Sequence, residues 1–404
     1  MSWKRKGIFY SLIIFGFFVA SKLMRQKAHL QGADHLKEIP TPVLFTVTHD
    51  SYWEIPSLSR VYYALKPKPN FLIMAKNEFL GGRYLSQNFA RNNRFLQWIL
   101  RLLDRTGIPT AVFRTMNLVS IERPFMDKLS MKRQVVMNAI ISGQINCFRQ
   151  GALQGLSTLI FPEGTTWGYG GLKKIRSGAH QIVHSTFQAA RKEVYLLPIN
   201  VKVDRLVAGT KDVFIKVGKP FFMDKQKEEF NRALSETLNG LHTITFSQIA
   251  AFYLKHLAEV GEDAAETMDI EKKKFIAAME RITQDLHRRV RARVLPHMDP
   301  ALLNRLQLLK KINGFLKYCR KSKYILAIRH RGHGGVLVLN RSKILADHSQ
   351  TEYRKLNPLG YHANELKSLG EDVIHSVYDR YMMTEGRILQ RKSVLQAIPL
   401  NLSQ

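Results

Sequence analysis

The sequence predicts an α/β fold in which a mostly parallel or mixed sheet carries helices on both faces. Between about residue 43 and residue 217, short apolar runs alternate with segments whose apolar residues recur at helical spacing. Strands that alternate with helices favour crossover connections, and so a sheet covered on both sides. Hydrophobic residues make up 45% of the 404 residues, which is enough to bury a sizeable core.

Short apolar runs give the predicted strands, and the segments between them give the predicted helices. The predicted strands are 43–47, 71–75, 118–121, 157–161, 194–203 and 213–217. The predicted helices are 56–65, 93–105, one from about 128, and 178–191. Pro56 suits the first turn of its helix, where a backbone N–H has no helical acceptor. Ligand sites in such sheets gather at the carboxyl ends of the strands.

The composition changes after about residue 224, where helical spacing dominates. Helices are predicted at 225–241, 246–260, 264–295, 301–319 and 373–381, with a hairpin of 324–328 and 336–339. The resulting domains are an N-terminal helix at 1–30, an α/β domain at 31–225 and a mainly helical basic extension at 226–404. The hairpin turn, 329–335, is predicted as a polar turn. Phosphate binding there, or metal binding by His330 and His333, remains an alternative; the other histidines lack metal-ligand spacing.

The N-terminus carries an apolar run, 7–20, with basic residues on both sides. The run is shorter than the roughly 20 residues that a bilayer-spanning helix needs. Charge on both sides and the lack of an A-x-A site argue against a cleaved signal peptide. We therefore predict a helix in the cytoplasmic leaflet of a membrane, with its lysines at the interface. A signal peptide and a buried core helix are the alternatives.

The net charge indicates the class of partner, and the number and spacing of the cysteines indicate the redox compartment. Lys and Arg outnumber Asp and Glu 62 to 32, a formal charge of +30, which indicates an anionic partner. No nucleic-acid signature accompanies this charge. We therefore predict an anionic membrane surface as the partner, and not nucleic acid. Each basic residue near such a surface contributes about 1 kcal/mol to the free energy of binding. Cys147 and Cys319 are too few and too far apart for a disulfide framework and fit a reducing compartment.

Two polar segments follow predicted strands and carry residues suited to acid–base chemistry. Residues 48–54 read Thr-His-Asp-Ser-Tyr-Trp-Glu, and residues 161–165 read Phe-Pro-Glu-Gly-Thr. Histidine suits a general base because its usual pKa is about 6.5, and a carboxylate on its second nitrogen fixes the tautomer. Five residues span roughly 140° of rotation on a helix, so His49 and Glu54 meet only if the chain bends between them. Asp50 is the rival carboxylate.

Together these segments resemble the H-x4-D and F-P-E-G-T blocks of the glycerolipid acyltransferase superfamily, which includes the lysophosphatidate and glycerol-phosphate acyltransferases. Residues 74–80 resemble its A-K-x-E-L segment, and residues 117–123 its G-x-I-F-I-x-R block, with 107–114 as a poorer alternative. Residues 173–178 and 197–199 stand where the family has a basic-Gly segment and a proline block. The resemblance covers roughly residues 40 to 225.

The resemblance implies transfer of a fatty acyl group from acyl-CoA or acyl carrier protein to a lysophospholipid or glycerol-phosphate, with 1-acylglycerol-3-phosphate as the leading acceptor. His49 would be the base and Glu54 its orienting carboxylate. Lys76 and Arg123 would hold the acceptor's anionic group. The pocket would be shaped by Glu163, Gly164 and Thr165. The chemistry requires no metal, and no cofactor besides the acyl thioester as co-substrate.

The sequence departs from the family pattern at several positions. Glu54 replaces the family's aspartate and keeps its charge, whereas Thr166 stands where an arginine is usual. Asn117 replaces a glycine and Ser120 an aromatic residue. Lys76, Arg123 or Arg176 would then supply the missing positive charge. The competing interpretation is a non-catalytic lipid-binding or membrane-scaffolding protein that retains the fold.

Overall fold

The structure is a computed structural model of the chain. It describes residues 8–48, 55–76, 85–86, 94–115, 117–121, 131–164, 169–260, 266–331, 334–346, 357–379 and 381. Contacts divide the chain into two compact units. The first comprises Met1–Thr166, Lys174–Val201 and Val213–Leu241, and the second comprises Trp167–Lys173, Lys202–Asp212 and His242–Gln404.

A seven-stranded sheet organises the first unit, in the order β1-β7-β6-β2-β5-β3-β4. Its strands are β1 (Gln26–Gln31), β2 (Val43–Val47), β3 (Phe71–Lys76), β4 (Leu118–Ile121), β5 (Ser157–Ile160), β6 (Tyr195–Val203) and β7 (Lys211–Val217). The pairs β6–β2, β2–β5, β5–β3 and β3–β4 are parallel. The predicted α/β class, with a mostly parallel or mixed sheet, is confirmed.

Strand β2 lies inside this sheet, and its composition explains why. All five of its residues are buried, and Val43, Leu44 and Phe45 are at most 1% exposed. A run of apolar residues without alternation is typical of a parallel strand covered on both faces. The strand pairs with β6 on one side and β5 on the other, which fixes the position of the residues that follow it.

Helices of the first unit precede, connect and follow these strands. They are α1 (Ile8–Leu23), α2 (Ser59–Ala64), α3 (Arg94–Arg105), α4 (Ile108–Thr115), α5 (Met131–Leu153), α6 (Gly178–Ala190) and α7 (Lys227–Gly240), with 3-10 turns at Ala33–Leu36 and Ile55–Leu58. Helix α7 belongs to this unit by its contacts, whereas the sequence grouped it with the extension from 226. The domain limits at 30 and 225 therefore stay a prediction from sequence, and the division by contacts differs from them here.

Two elements of the first unit were not predicted. Strand β1 has the sequence Gln-Lys-Ala-His-Leu-Gln, whose polar character carries little strand signal; its pairing beside β7 at the sheet edge makes it a strand. Helix α4 covers most of 107–114, the poorer of the two alignments to the family's G-x-I-F-I-x-R block. The preferred alignment, 117–123, contains strand β4.

Helix α1 is the apolar N-terminal segment, and it is 16 residues long. Leu12, Phe15, Val19 and Leu23 are exposed, and their spacing of three and four residues puts them on one face. Ser21 is buried, with its hydroxyl 3.3 Å from the Ser57 hydroxyl. Among the described residues, no helix combines the length and the apolarity needed to cross a bilayer.

Helices predominate in the second unit, which also contains two small sheets. Its helices are α8 (Phe246–Val260), α9 (Lys272–Arg291), α10 (Arg305–Lys321), α11 (Arg341–Leu345), α12 (Pro358–Lys367) and α13 (371–379). Its strands are β8 (Thr243–Ile244), β9 (Thr267–Glu271), β10 (His297–Met298), β11 (Ile325–Arg331) and β12 (Gly334–Asn340). Strands β8 and β10 pair in parallel, and β11-β12-β9 form an antiparallel sheet.

The predicted hairpin is confirmed as β11 and β12, but its strands extend to Arg331 and from Gly334, so most of the predicted turn at 329–335 is strand. The helix predicted from residue 264 is wrong at its start. Residues 267–271 form β9, in which Ile270 pairs with Leu337 of β12, and both side chains are buried. The helix then begins at Lys272. A partner 67 positions away in sequence decides this strand, so local spacing could not reveal it.

Aromatic side chains from three helices fill the core of the second unit. Phe246 of α8 and Phe315 of α10 meet edge to face at 5.8 Å, and Phe275 of α9 stacks on Phe315 at 6.3 Å. All three side chains are fully buried. Such pairs add about 0.5–1.5 kcal/mol beyond the burial of their area.

A buried ion network lies beside this core. Lys311 of α10 is almost fully buried, and its Nζ lies 2.6 Å from Asp204, 2.7 Å from Asp212 and 3.0 Å from Asp299. Burial alone would lower the pKa of Lys311, but the three carboxylates outweigh it and raise that pKa. The lysine therefore stays charged and neutralises acidic groups that would otherwise be buried together.

A second buried ion pair involves α12. Lys202 Nζ lies 2.5 Å from Glu365 Oε1, while Glu365 Oε2 lies 2.6 Å from His362 Nδ1 and accepts a hydrogen bond from Gln248 at 3.2 Å. Burial alone would raise the pKa of Glu365. The Lys202 ammonium and the His362 contact outweigh it and hold that pKa well below its usual range.

Candidate active site

Four parallel strands end at one edge of the sheet, and the predicted site residues occupy or follow their ends. Thr46 of β2 is level with Ile160 of β5, and Ile73 of β3 is level with Leu159. Lys76, the last residue of β3, is level with Ile121, the last residue of β4. Because β2, β3, β4 and β5 run in the same direction, the chain reaches the same edge of the sheet at the end of each strand. Lys76 is the last residue of β3. His49, Arg123 and Glu163 come two or three positions in sequence after β2, β4 and β5.

Thr48 anchors the backbone one residue before His49. Its N–H donates to the Ile199 carbonyl at 3.0 Å, and its hydroxyl oxygen accepts from the Val201 N–H at 2.9 Å. The side chain is buried. The chain therefore leaves β2 at a fixed point beside β6. The predicted base His49, its carboxylate Glu54 and the rival Asp50 lie outside the described residues.

The Phe-Pro-Glu-Gly segment forms a tight turn after β5. Gly164 N–H donates to the Phe161 carbonyl at 2.9 Å, so Pro162 and Gly164 occupy the second and fourth turn positions, where these residues are favoured. Gly164 has a φ of +75°, which glycine adopts without strain. Glu163 is 3% exposed at the tip of this turn. Thr165 lies outside the described residues.

Arg176 lies against this turn. Its N–H donates to the Pro162 carbonyl at 2.9 Å, and its Cγ would lie 3.2 Å from a side-chain carbon added at Gly164. Any residue larger than glycine at 164 would therefore crowd the arginine. The Arg176 side chain is exposed. Lys76, Arg123 and Arg176 are the three predicted cations for the acceptor's anionic group. Arg176 is the one whose side chain the structure describes.

The other two cations are placed only in part. Lys76 ends β3, and its side chain is outside what the structure describes; Arg123 lies outside entirely, two residues after β4. Asn117 precedes β4 with a φ of +52° and donates from Nδ2 to the Phe71 carbonyl at 3.2 Å. Asparagine tolerates this left-handed conformation better than most residues, which explains its presence where the family has glycine.

Neither cysteine has the environment of a nucleophile. Cys147 and Cys319 are free thiols, and Cys319 is fully buried. Burial raises the pKa of both thiols, so the reactive thiolate form is disfavoured in each. This agrees with chemistry in which the substrate supplies the attacking oxygen.

The sequence did not single out a basic cavity in the second unit. It has a volume of about 670 Å³ and is lined by Lys272, Asn313, Leu316, Lys317, Arg320, Lys321 and Ile328. Four of these side chains are cationic and none is acidic. In the sequence, this cavity corresponds to cations three and four residues apart at the end of α10. The same pattern is common on solvated helix faces, so it does not by itself predict a cavity.

One comparison with known proteins matches the part of the chain that carries the motifs. Residues 27–202 match the family model described as Acyltransferase. Comparison with curated proteins gives no match. Among solved structures, the crystal structure of the 1-acyl-sn-glycerophosphate (LPA) acyltransferase PlsC from Thermotoga maritima is similar at 14% identity. That match covers 57% of this chain and 78% of that chain, with a TM-score of 0.36.

The family match includes both motif blocks, the strands that carry them and the basic segment at 173–178. It ends at residue 202, near the end of β6. The segment at residues 27–202, a little under half of the chain, is therefore similar to the Acyltransferase family.

Proposed function

We propose that this protein transfers a fatty acyl group from acyl-CoA or acyl carrier protein to a hydroxyl of a lysophospholipid or glycerol-phosphate. The leading acceptor is 1-acylglycerol-3-phosphate, and the product belongs to phospholipid biosynthesis. The observation that carries the proposal is the shared edge of β2, β3, β4 and β5. It brings four chain segments together, each with a residue of the type that acyl transfer needs.

In this mechanism His49 removes the proton from the acceptor hydroxyl as its oxygen attacks the thioester carbonyl. A C–O bond forms and gives a tetrahedral intermediate. When the C–S bond breaks, the imidazolium returns its proton to the leaving thiolate. Glu54 accepts a hydrogen bond from the other ring nitrogen, which fixes the tautomer and stabilises the imidazolium. The step needs no metal and no cofactor besides the acyl thioester.

Lys76, Arg123 and Arg176 form the proposed site for the acceptor's phosphate, and Glu163, Gly164 and Thr165 shape the pocket. The contact of Arg176 with the Phe-Pro-Glu-Gly turn supports its inclusion. An arginine offers a bidentate fork to phosphate oxygens. Arg176 then supplies the charge that the family usually places where this chain has Thr166.

We further propose that the enzyme acts at the cytoplasmic face of a membrane. The exposed apolar face of α1 supports this, as do Phe95 and Trp98 of α3, which are 70% and 57% exposed. Apolar side chains at such density are unusual on a soluble surface and suit shallow insertion among lipids. The +30 charge adds attraction to an anionic leaflet.

The second candidate is a lipid-binding or membrane-scaffolding protein without turnover. Glu54 in place of aspartate and Thr166 in place of arginine favour it. Such a protein would bind acyl thioesters or lysolipids at the same edge of the sheet and release them unchanged.

A purified-enzyme assay separates the two candidates. Full-length protein in detergent would be incubated with labelled acyl-CoA or acyl carrier protein and a panel of lysophospholipids and glycerol-phosphate. Acylation of a phosphate-bearing acceptor is expected, with loss of activity in His49→Ala and retention in His287→Ala, a matched change on α9. Binding of lysolipid without product from any pair of substrates would instead support the second candidate.

A further inference from the structure

Two helices of the second unit bring two imidazoles and a carboxylate together, outside the acyltransferase domain. His256 belongs to α8, and His375 and Asp379 belong to α13. We propose that these three side chains bind a divalent transition-metal ion, with zinc as the best-suited ion. The inference does not depend on the proposed acyl transfer.

The three side chains already lie within reach of one ion. Each offers a ligand atom, and these atoms all lie within 4.8 Å of one another. His256 Nε2 is 2.9 Å from Asp379 Oδ1, and the rings of His256 and His375 are 5.4 Å apart at 70°. Zinc with bonds of about 2.0–2.2 Å places tetrahedral ligand atoms roughly 3.3 Å apart. Small side-chain rotations therefore suffice to complete the site.

Helical geometry explains the convergence. His375 and Asp379 are four residues apart, so they project from the same face of α13. His256 faces them from α8, 119 positions earlier in the sequence. One ligand from the first helix and two from the second would join α13 to α8.

The buried position of His256 favours coordination of a metal ion. The residue is 7% exposed, and its Nε2 makes no hydrogen bond of acceptable geometry despite the nearby carboxylate. A buried polar atom without a hydrogen bond costs free energy, which coordination would recover. His375 and Asp379 are partly exposed, so an ion has a route from solvent.

The surroundings accommodate positive charge. A small cavity of about 30 Å³ adjoins the site, and Lys255 and Lys367 contribute to its lining. Lys367 Nζ lies 2.7 Å from Glu371 Oε1, and Lys255 Nζ lies 3.4 Å from Asn364 Oδ1 and 3.8 Å from a Glu259 oxygen. Both ammonium groups thus have oxygen partners of their own.

The ligand types select the class of ion. Two imidazoles and one carboxylate suit Zn²⁺, Co²⁺ or Ni²⁺, whereas Mg²⁺ and Ca²⁺ prefer oxygen ligands alone. Glu371 Oε1 lies 3.9 Å from His375 Nε2, beyond hydrogen-bond distance, and stays outside the ligand set. A solvent molecule would complete four-coordination.

Metal titration of the full chain tests the proposal. Protein without an affinity tag, stripped with a chelator, would be titrated with Zn²⁺ and with Mg²⁺ by calorimetry, and its thermal unfolding followed. One Zn²⁺ per chain is expected, with a Tm higher by roughly 5 °C at saturation, and no response to Mg²⁺. Co²⁺ should give visible absorption bands typical of tetrahedral nitrogen and oxygen ligation.

Variants assign the site and keep the test independent of folding. His375→Ala and Asp379→Asn should each weaken Zn²⁺ binding about 100-fold or more, whereas His287→Ala should bind as wild type. Circular dichroism checks that each variant is folded, and the loss of the Co²⁺ bands in a folded variant supports the assignment. If folded His375→Ala and Asp379→Asn bind Zn²⁺ like wild type, the proposal is wrong.

A second pair of histidines offers an alternative site for Zn²⁺. His180 and His184 stack one turn apart on α6, with His184 Nδ1 2.7 Å from Asp224 Oδ1. Zn²⁺ binding that is abolished by His180→Ala and unaffected by His375→Ala would place the ion there and overturn the assignment. Absence of Zn²⁺ binding altogether would overturn it as well.

Discussion

At the scale of single residues, the proposed mechanism depends on which carboxylate orients His49, the proposed base. Glu54 is the predicted partner, and Asp50 is its neighbour in the same segment. We expect His49→Ala to lower kcat by a factor of about 10³ to 10⁴, as for other members of a catalytic triad. Glu54→Gln should cost less, because Asp50 or water orients the ring in part.

Steady-state kinetics on His49→Ala, Glu54→Gln and Asp50→Asn would check this prediction. Activity of His49→Ala close to wild type would exclude the mechanism. A larger loss in Asp50→Asn than in Glu54→Gln would show that the neighbouring aspartate is the orienting carboxylate.

Arg176 is the proposed phosphate-binding residue whose side chain the structure describes. If it holds the acceptor's phosphate, Arg176→Ala should raise the KM for the acceptor by the equivalent of a charge-assisted contact, about 1.5–3 kcal/mol. Lys76→Ala and Arg123→Ala should behave similarly. The KM for the acyl donor should stay nearly unchanged, because the donor's thioester does not use this contact.

Lys174→Ala is the matched control for Arg176→Ala, since it removes an exposed cation two residues away on the same segment. An uncharged acceptor that is used as well as a phosphate-bearing one would contradict the phosphate site. So would unchanged acceptor kinetics in all three alanine variants.

At the scale of elements, α10 depends on the charge of Lys311. Removing this charge leaves Asp204, Asp212 and Asp299 close together without their cation. Breaking a buried ion pair costs about 3–5 kcal/mol, so Lys311→Met should lower the free energy of unfolding by that amount. The adjacent Lys310 is exposed, so Lys310→Met should have little effect.

Denaturant unfolding of both methionine variants would measure the difference. Equal midpoints for Lys311→Met and Lys310→Met would show that the network contributes nothing net. Such a result would mean that water between the carboxylates, or protonation of one of them, offsets the loss of the ammonium group.

The ion pair of α12 predicts how stability depends on pH. The pKa of Glu365 is lower in the folded chain than its ordinary value near 4.5, because Lys202 and His362 favour the carboxylate against the effect of burial. Its stabilisation is therefore fully present above that ordinary value and is lost as the pH falls toward the folded pKa. Glu365→Gln should lower Tm at neutral pH and reduce its dependence on pH below about 5.

Thermal unfolding between pH 3.5 and 7 would test this, with Asp372→Asn as an exposed control on α13. The control should follow the wild-type curve. A Glu365→Gln curve that is parallel to wild type over the whole acidic range would contradict the assignment of the shift to this carboxylate.

At the scale of the whole molecule, the proposed binding to membranes would combine an apolar face with a large positive charge. Leu12→Ser, Phe15→Ser and Val19→Ser together remove the exposed face of α1 and leave buried Ser21 in place. This triple variant should bind anionic vesicles more weakly and be released by high salt more readily than wild type. Salt screens charge but does not weaken apolar insertion.

Vesicle sedimentation over a range of salt concentrations would measure these effects. A second variant, Lys317→Glu with Arg320→Glu, changes the basic cavity and should weaken binding to anionic vesicles only. Equal partitioning of wild type onto neutral and anionic vesicles would contradict the role of charge. Unchanged salt release of the triple serine variant would contradict the role of α1.

The sequence by itself determined the α/β class, most strands of the sheet and the two motif blocks. These features are local, since an apolar run such as 43–47 and a turn such as Phe161–Gly164 depend on neighbouring residues. The similarity to the Acyltransferase family follows from the same segments, because the residues that carry its motifs come directly after the strands in sequence. The roles of all the site residues stay predictions, and His49, Glu54, Arg123 and Thr165 among them lie outside the described residues.

Only the tertiary structure decided features that depend on distant partners. Strand β1 exists through pairing with β7, and β9 through pairing with β12, although neither has a strong strand pattern. Arg176 beside the Phe-Pro-Glu-Gly turn and His256 beside Asp379 are likewise set by folding. The physical reason is the same in each case: hydrogen bonding and burial join residues from dozens to more than a hundred positions apart, and periodicity carries no information at that range.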